Sequence, residues 1–84
     1  MVELVHSSSA GAQEMAAAAL RNLAWKNAEN QVSIASAGGI APLVELVHSG
    51  SAGAQEQAAA ALRILAVNAE NKVLIASVGG SDIL

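Results

Sequence analysis

The sequence predicts an all-α solenoid of two three-helix units, and three observations support this prediction. The first is an internal duplication: residues 2–43 align with residues 44–84 with one gap opposite Lys26, and only ten of the 41 paired positions differ. The second is the strong helix propensity of the alanine runs at 16–19 and 58–61. The third is that polar turns divide each unit into three helical segments, as in repeats that bury their apolar faces against their neighbours.

The first helical segment of each unit is the longest, and in the first unit it follows Ser9 and Gly11. Either of these residues is suited to cap the exposed amides, and Glu14 is expected in the first turn, where the helix dipole favours a carboxylate. The apolar residues recur at helical spacing, which predicts one buried stripe. The stripe consists of Ala12, Ala16, Ala19, Leu20 and Leu23.

Two short helices complete the unit. The first is the segment NAENQVSIASA, in which Val32, Ile34 and Ala35 are expected to face inward. Gly38 and Gly39 end it, because glycine accepts the left-handed turn that other residues resist. The second is APLVELVHS, with Pro42 just inside its start, where a missing amide hydrogen costs nothing.

The composition of the 84-residue chain limits the classes of function. Hydrophobic residues make up 54% of the chain, aromatic residues only 1%, and there is no cysteine, which excludes a disulfide framework and thiolate chemistry. The net charge is -3, and the four basic residues are too few for the dense basic surface that nucleic acid favours. These residues are Arg21, Lys26, Arg63 and Lys72.

No membrane partner is expected either. No apolar run is long enough to span a bilayer, and the start MVELVHSSS lacks the basic opening and the hydrophobic run of a signal peptide. We therefore expect an intracellular chain, in the cytoplasm or the nucleus, unless it is an engineered protein.

The segment NAENQVSIASAGGIAPLVELVHSGSAGAQEQAAAALRILA resembles the armadillo repeat in its short, short, long order of helices and in its Gly-Gly before IAPLVELV. The resemblance covers essentially the whole chain. It implies a single module over residues 1–84, a right-handed solenoid with units 2–43 and 44–84, that serves protein–protein interaction without catalysis. The two-helix HEAT repeat is the alternative, and it fits the Gly-Gly break less well.

The two ends of the chain fall at the same place in the repeat, within the second short helix. We expect the apolar residues there to lack part of their covering, and we expect each end to complete the other between copies, head to tail or by helix exchange, giving a homo-oligomer. The residues concerned are Val2, Leu4, Val5, Ile83 and Leu84. Two alternatives stay open: a partly folded monomer, and a fragment or an engineered chain whose neighbouring repeats lie elsewhere.

A second stripe on the long helices is the candidate for binding a peptide or a protein. It consists of Met15, Ala18, Asn22 and Trp25, with Gln57, Ala60, Ile64 and Val67 as counterparts in the second unit. Three of the ten differences between the units fall on this stripe, whereas the predicted core stripe does not change. A surface that varies beside a fixed one is less constrained by packing.

The resemblance implies that this stripe lines the concave groove of the solenoid. Asn22 matches the groove asparagine with which armadillo proteins hydrogen-bond to the backbone of an extended peptide. The importin-like members carry a tryptophan one turn earlier, where this chain has Ala18, and the second unit has Ala60 and Ile64 at the two positions. We therefore do not expect binding of basic targeting peptides in the importin manner.

No catalytic, cofactor or metal site is expected. His6 and His48 occupy equivalent places about one repeat apart, too far to share a metal ion, and we expect solvated or helix-capping imidazoles. The serines beside them are turn and cap residues, since no third group or oxyanion site accompanies them. The sequence therefore predicts a protein that is not an enzyme.

Overall fold

The computed structural model describes residues 9–83, which are helical throughout apart from short turns. Five α-helices follow one another, and the last is followed by a kinked turn over Ala76–Gly80, in which Val78 and Gly79 leave helical backbone angles. The helices are α1 (Ala10–Ala24), α2 (Ala28–Ser36), α3 (Ile40–Ser49), α4 (Ala52–Leu65) and α5 (Ala69–Ile75). The predicted residues His6, Val2, Leu4, Val5 and Leu84 lie outside the described part of the chain.

Side-chain caps fix where the helices begin. Ser9 and Ser51 accept hydrogen bonds from the amides of Ala12 and Ala54, at the starts of α1 and α4. Of the two residues predicted as caps of α1, Ser9 is the cap and Gly11 lies inside the helix. The sequence analysis did not single out the caps of the short helices, Asn27 and Asn68, which accept from the amides three residues later. Each unit therefore repeats the same caps.

The core lies around α4, which packs against α1 and against α3, and α1 and α4 run along each other. Because the facing side chains are mostly alanines, the two long helices approach closely, and leucines and isoleucines fill the remaining space. The buried apolar residues are Ala16, Ala17, Leu20, Ala24, Ile34, Ile40, Leu43, Val44, Leu46, Ala54, Ala58, Ala61, Leu62, Leu65, Ile75 and Ile83.

Four predictions about individual residues are wrong. Leu23 and Val32 are exposed rather than buried, since no helix of the described part covers their sides of α1 and α2. Glu14 lies beyond the first turn of α1, because the helix begins at Ala10. Ile83 is buried in the core of its own chain, and its amide donates to the carbonyl of Gly80, so it is not the open apolar end that was expected.

Two polar side chains that the sequence analysis did not single out, Gln31 and Asn71, are buried. The Nε2 of Gln31 donates to the carbonyl of Ala24 at 3.0 Å, and the Nδ2 of Asn71 donates to the carbonyl of Gln31 at 3.1 Å. Buried amides are tolerated when they are hydrogen-bonded. The second bond connects α5 to α2 and so joins the two units of the duplication.

Positive backbone angles mark the turns. Gly38, after α2, has φ of 82°, and its counterpart Gly79 has φ of 90°, as predicted for glycines that end helices. Lys26 has φ of 52°, which only a few per cent of non-glycine residues adopt. Lys26 is also the one residue without a partner in the alignment of the two units, so the turn after α1 takes up the extra residue.

No single helix among residues 9–83 is long and apolar enough to cross a membrane. Taken together, α2 and α3 meet the length and composition criteria, but they are bent by 83° to each other.

Candidate functional site

The C-terminal ends of α1 and α4 form a pocket of about 280 Å³. Arg21, Asn22 and Trp25 line it from α1 and its end, and Ile64 lines it from α4. Three of these four residues belong to the stripe that the sequence singled out. The structure therefore brings Asn22, Trp25 and Ile64 to one place.

Trp25 directly follows α1 and is 60% exposed. The Nζ of Lys26 lies 5.4 Å from the centroid of its ring, within the range of a cation–π interaction. The extra residue of the first unit thus places a positive charge over the only indole ring of the chain.

The guanidinium of Arg21 is held between the two long helices. Its Nη1 donates to the Oε1 of Gln57 at 2.8 Å. Gln57 therefore holds the Arg21 side chain in place, although Gln57 does not line the pocket. A guanidinium carries five N–H donors in a fixed geometry. The remaining donors are available to a ligand.

Asn22 and Ile64 give the pocket two different surfaces. Asn22 is exposed, and its side chain makes no hydrogen bond with the rest of residues 9–83. Its amide offers two donors and an acceptor. Ile64 is half-buried and packs against the core, so it presents a fixed apolar surface opposite Asn22.

A second pocket of about 270 Å³ lies next along the chain and is lined by Arg63, Ala66, Val67 and Lys72. Arg63 and Val67 occupy in the second unit the positions of Arg21 and Trp25 in the first. The two pockets are therefore counterparts under the duplication. We call their lining residues, together with Lys26, the pocket face.

The sequence analysis missed the basic residues of this surface. Arg21 lines the first pocket beside Lys26, and Arg63 and Lys72 line the second. These four are all the lysines and arginines of the chain, and no acidic residue of the described part lines either pocket. The missed signal was that Arg21 and Arg63 directly precede Asn22 and Ile64 in a chain with few cations.

The remaining predicted residues lie elsewhere. Met15 is exposed on α1 and lines neither pocket, whereas Val67, also exposed, lines the second. The Nε2 of His48 lies 3.5 Å from the Oδ2 of Asp82, joining the end of α3 to the last turn. Residues 9–83 contain no group of three side chains suited to hold a metal ion.

The order of α2, α3 and α4 is the short, short, long order of one complete repeat. Residues 27–67 match the family described as the armadillo/beta-catenin-like repeat, and they span these three helices from the cap Asn27 to Val67. Residues 27–67 are an armadillo repeat. No curated protein and no solved structure matches it. Armadillo repeats mediate protein–protein interaction and are typically non-catalytic scaffolds.

Proposed function

We propose that this armadillo-repeat chain is a non-catalytic module that binds an extended peptide segment of a partner protein. In this proposal the two units are successive turns of a right-handed solenoid, and the pocket face is its concave side. The observation that carries the proposal is the first pocket, where Asn22, Trp25 and Ile64 meet. The location in the cytoplasm or the nucleus stays a prediction.

The first pocket offers complementary contacts to an extended peptide. The side-chain amide of Asn22 pairs with backbone groups, which every extended segment presents whatever its sequence. The ring of Trp25 and the side chain of Ile64 provide apolar surface for a side chain of the peptide. Peptides with a bulky aliphatic residue at this position are therefore favoured.

The charge of the pocket face determines the class of peptide. Three of the four basic residues of the chain line the two pockets, and the fourth, Lys26, lies over the ring of Trp25, although the chain as a whole carries a net charge of -3. An acidic segment pairs with Arg21 and Arg63 and is also steered toward them, whereas a basic segment is repelled. We therefore propose an acidic partner.

The test measures binding of a fluorescein-labelled probe, (Glu-Ser-Leu)₃, by fluorescence anisotropy. We expect saturable binding that weakens as salt is added, and no binding of the matched probe (Lys-Ser-Leu)₃. Replacing Asn22→Ala removes hydrogen bonds worth about 1 kcal/mol, so the dissociation constant rises about fivefold.

The matched control is Ser33→Ala, which removes an exposed polar side chain from α2 away from both pockets. This variant should bind the probe as the parent chain does. Equal binding of the acidic and basic probes, or an Asn22→Ala variant with unchanged affinity, would contradict the proposal.

Self-association is the second candidate function, and one observation favours it. Residues that are buried where the two units pack together have counterparts on the outer sides of the units that are half-buried or exposed. The contact no longer involves the predicted end residue Ile83, which its own chain buries.

A further inference from the structure

We infer that copies of this chain stack head to tail through the surfaces that already pack its two units together, α1 of one copy lying on α4 of the next. The inference rests on the second candidate function and gives it a surface that the sequence did not predict. Its test is separate from the test of peptide binding.

The contact between the units inside the chain provides the template. Arg21 donates to Gln57 at 2.8 Å, from α1 to α4. Asn71 donates to the backbone carbonyl of Gln31 at 3.1 Å, from α5 to α2. In addition, the carboxylate of Glu14 occupies the space where a side chain at Gly53 would stand.

One side of this internal contact is repeated, uncovered, on the second unit. Ala17, Ala24 and Gln31 are buried in the contact. Their counterparts on α4 and α5 are only half-buried or exposed, because no further unit covers them within the described chain. We call these counterparts, Ala59, Ala66 and Lys72, the open side of the second unit.

The other side of the contact is repeated, uncovered, on the first unit. Leu65 is 0% exposed, whereas its counterpart Leu23 is 45% exposed. Ala61 and Asn71 are buried as well, but their counterparts Ala19 and Asn30 are only half-buried. We call Leu23, Ala19 and Asn30 the open side of the first unit.

The two open sides are therefore the two halves of an interface that the chain already forms once. The same register between copies lets Asn30 of one copy donate to the carbonyl of Lys72 of the other, as Asn71 does to Gln31. It also lets Glu56 of one copy lie against Gly11 of the other. The space beside Gly11 is empty within one copy, with no atom within 4 Å of where its Cβ would stand.

Stacking also completes the second pocket. Ile64 closes the first pocket opposite Trp25, and the residue equivalent to Ile64 in the next copy is Asn22. A stacked copy would thus bring its Asn22 beside Arg63 and Val67, which line the second pocket. The pocket face would continue from copy to copy with the same spacing.

Two sequence differences between the units make the contact between copies weaker than the contact within one chain. Arg63 of one copy meets Met15 of the next, where Arg21 finds Gln57 within the chain. Lys72 brings a charge to the position of the buried Gln31. Desolvating an unpaired charge is unfavourable, so the association is expected to be reversible.

These two positions allow a test in which association becomes stronger. In sedimentation velocity at a series of concentrations, we expect the mass of the parent chain to rise with concentration. Met15→Gln restores an acceptor for Arg63, and Lys72→Gln removes the charge. Each variant should lower the dissociation constant about five- to tenfold. Since Lys72→Gln makes the chain more negative, general attraction between copies would not explain the result.

The opposite test disrupts the open side of the first unit. Leu23→Asp should raise the dissociation constant at least about tenfold. The matched control is Val73→Asp on α5, because its counterpart Val32 is still 50% exposed with the second unit packed beside it, so a carboxylate at this position keeps its access to water. Val73→Asp should associate like the parent chain.

Two outcomes would overturn the inference. One is a double variant, Met15→Gln with Lys72→Gln, that stays monomeric at millimolar concentration with the helical content of the parent chain. The other is equal weakening by Leu23→Asp and Val73→Asp.

Trp25→Ala, which removes apolar surface from the first pocket, should weaken binding of the acidic probe but leave the dissociation constant between copies within about twofold, because its counterpart Val67 is 78% exposed beside the first unit. Failure of one proposal is thus distinct from failure of the other.

Discussion

At the scale of single residues, backbone conformation explains why glycine is required at Gly38 but not at Gly11. Gly38 adopts φ of 82° in a turn where no atom lies within 4 Å of the place that a Cβ would take, so only its backbone angle demands glycine. Gly11 lies in α1 with equally free space and an ordinary helical angle. The two residues differ in conformation and not in crowding.

Gly38→Ala should lower the free energy of unfolding by about 1–2 kcal/mol, because an alanine in the left-handed region is strained. Gly11→Ala should instead raise it by about 0.5 kcal/mol, since it restricts the unfolded chain and fits the helix. Urea denaturation followed by circular dichroism, on dilute samples, measures both. If the two substitutions changed stability in the same direction, the backbone explanation would be wrong.

At the scale of helices, the sequence predicted the periodicity well and the burial less well. Ala16, Leu20 and Ile34 are buried as expected, because helical spacing tells which residues share one side of a helix. Leu23 and Leu65 stand in nearly identical local sequences, yet one is exposed and the other fully buried. Spacing within a helix does not tell which neighbouring helix covers it.

This pair of leucines supports a direct comparison. Leu65→Ala should lower the free energy of unfolding by about 2–5 kcal/mol, because it leaves a cavity in a packed core. Leu23→Ala should lower it by less than about 1 kcal/mol, since nearly half of that side chain is in solvent already. Thermal and urea denaturation at a concentration where the chain is monomeric measure the difference. Equal losses would mean that Leu23 is covered within its own copy.

The sequence likewise predicted only part of the candidate site. The stripe spacing identified Asn22, Trp25 and Ile64, because residues three and four apart share one side of a helix. It did not identify Arg21 or Lys72, which reach the pockets from a neighbouring position and from another helix. Met15 was included although it lines no pocket, since spacing does not define where a helix surface becomes concave.

At the scale of the whole molecule, the duplication was evident from sequence, but the bonds that hold its halves together were not. The buried amide of Asn71 connects α5 to α2. The same three residues, Asn-Ala-Glu, precede Asn30, which lies nearer the surface and donates to the carbonyl of Leu23. The difference arises because only Asn71 has a preceding unit beside it in the described chain.

Asn71→Ala should lower the free energy of unfolding by about 1–3 kcal/mol, because it leaves the carbonyl of Gln31 without its partner in a buried place. Asn30→Ala should cost about 0.5–1 kcal/mol, since water replaces the exposed hydrogen bond. Equilibrium denaturation gives both values, and a larger loss for Asn30→Ala would contradict this account of how the units are joined.

The position of Trp25 has a practical consequence for following the molecule in solution. The chain has no tyrosine or phenylalanine, so its near-ultraviolet emission comes from one indole, which stands at the edge of the first pocket under the ammonium group of Lys26. A ligand that displaces water from this ring should shift the emission to shorter wavelength without any attached dye. The unlabelled protein thus carries its own optical reporter of occupancy.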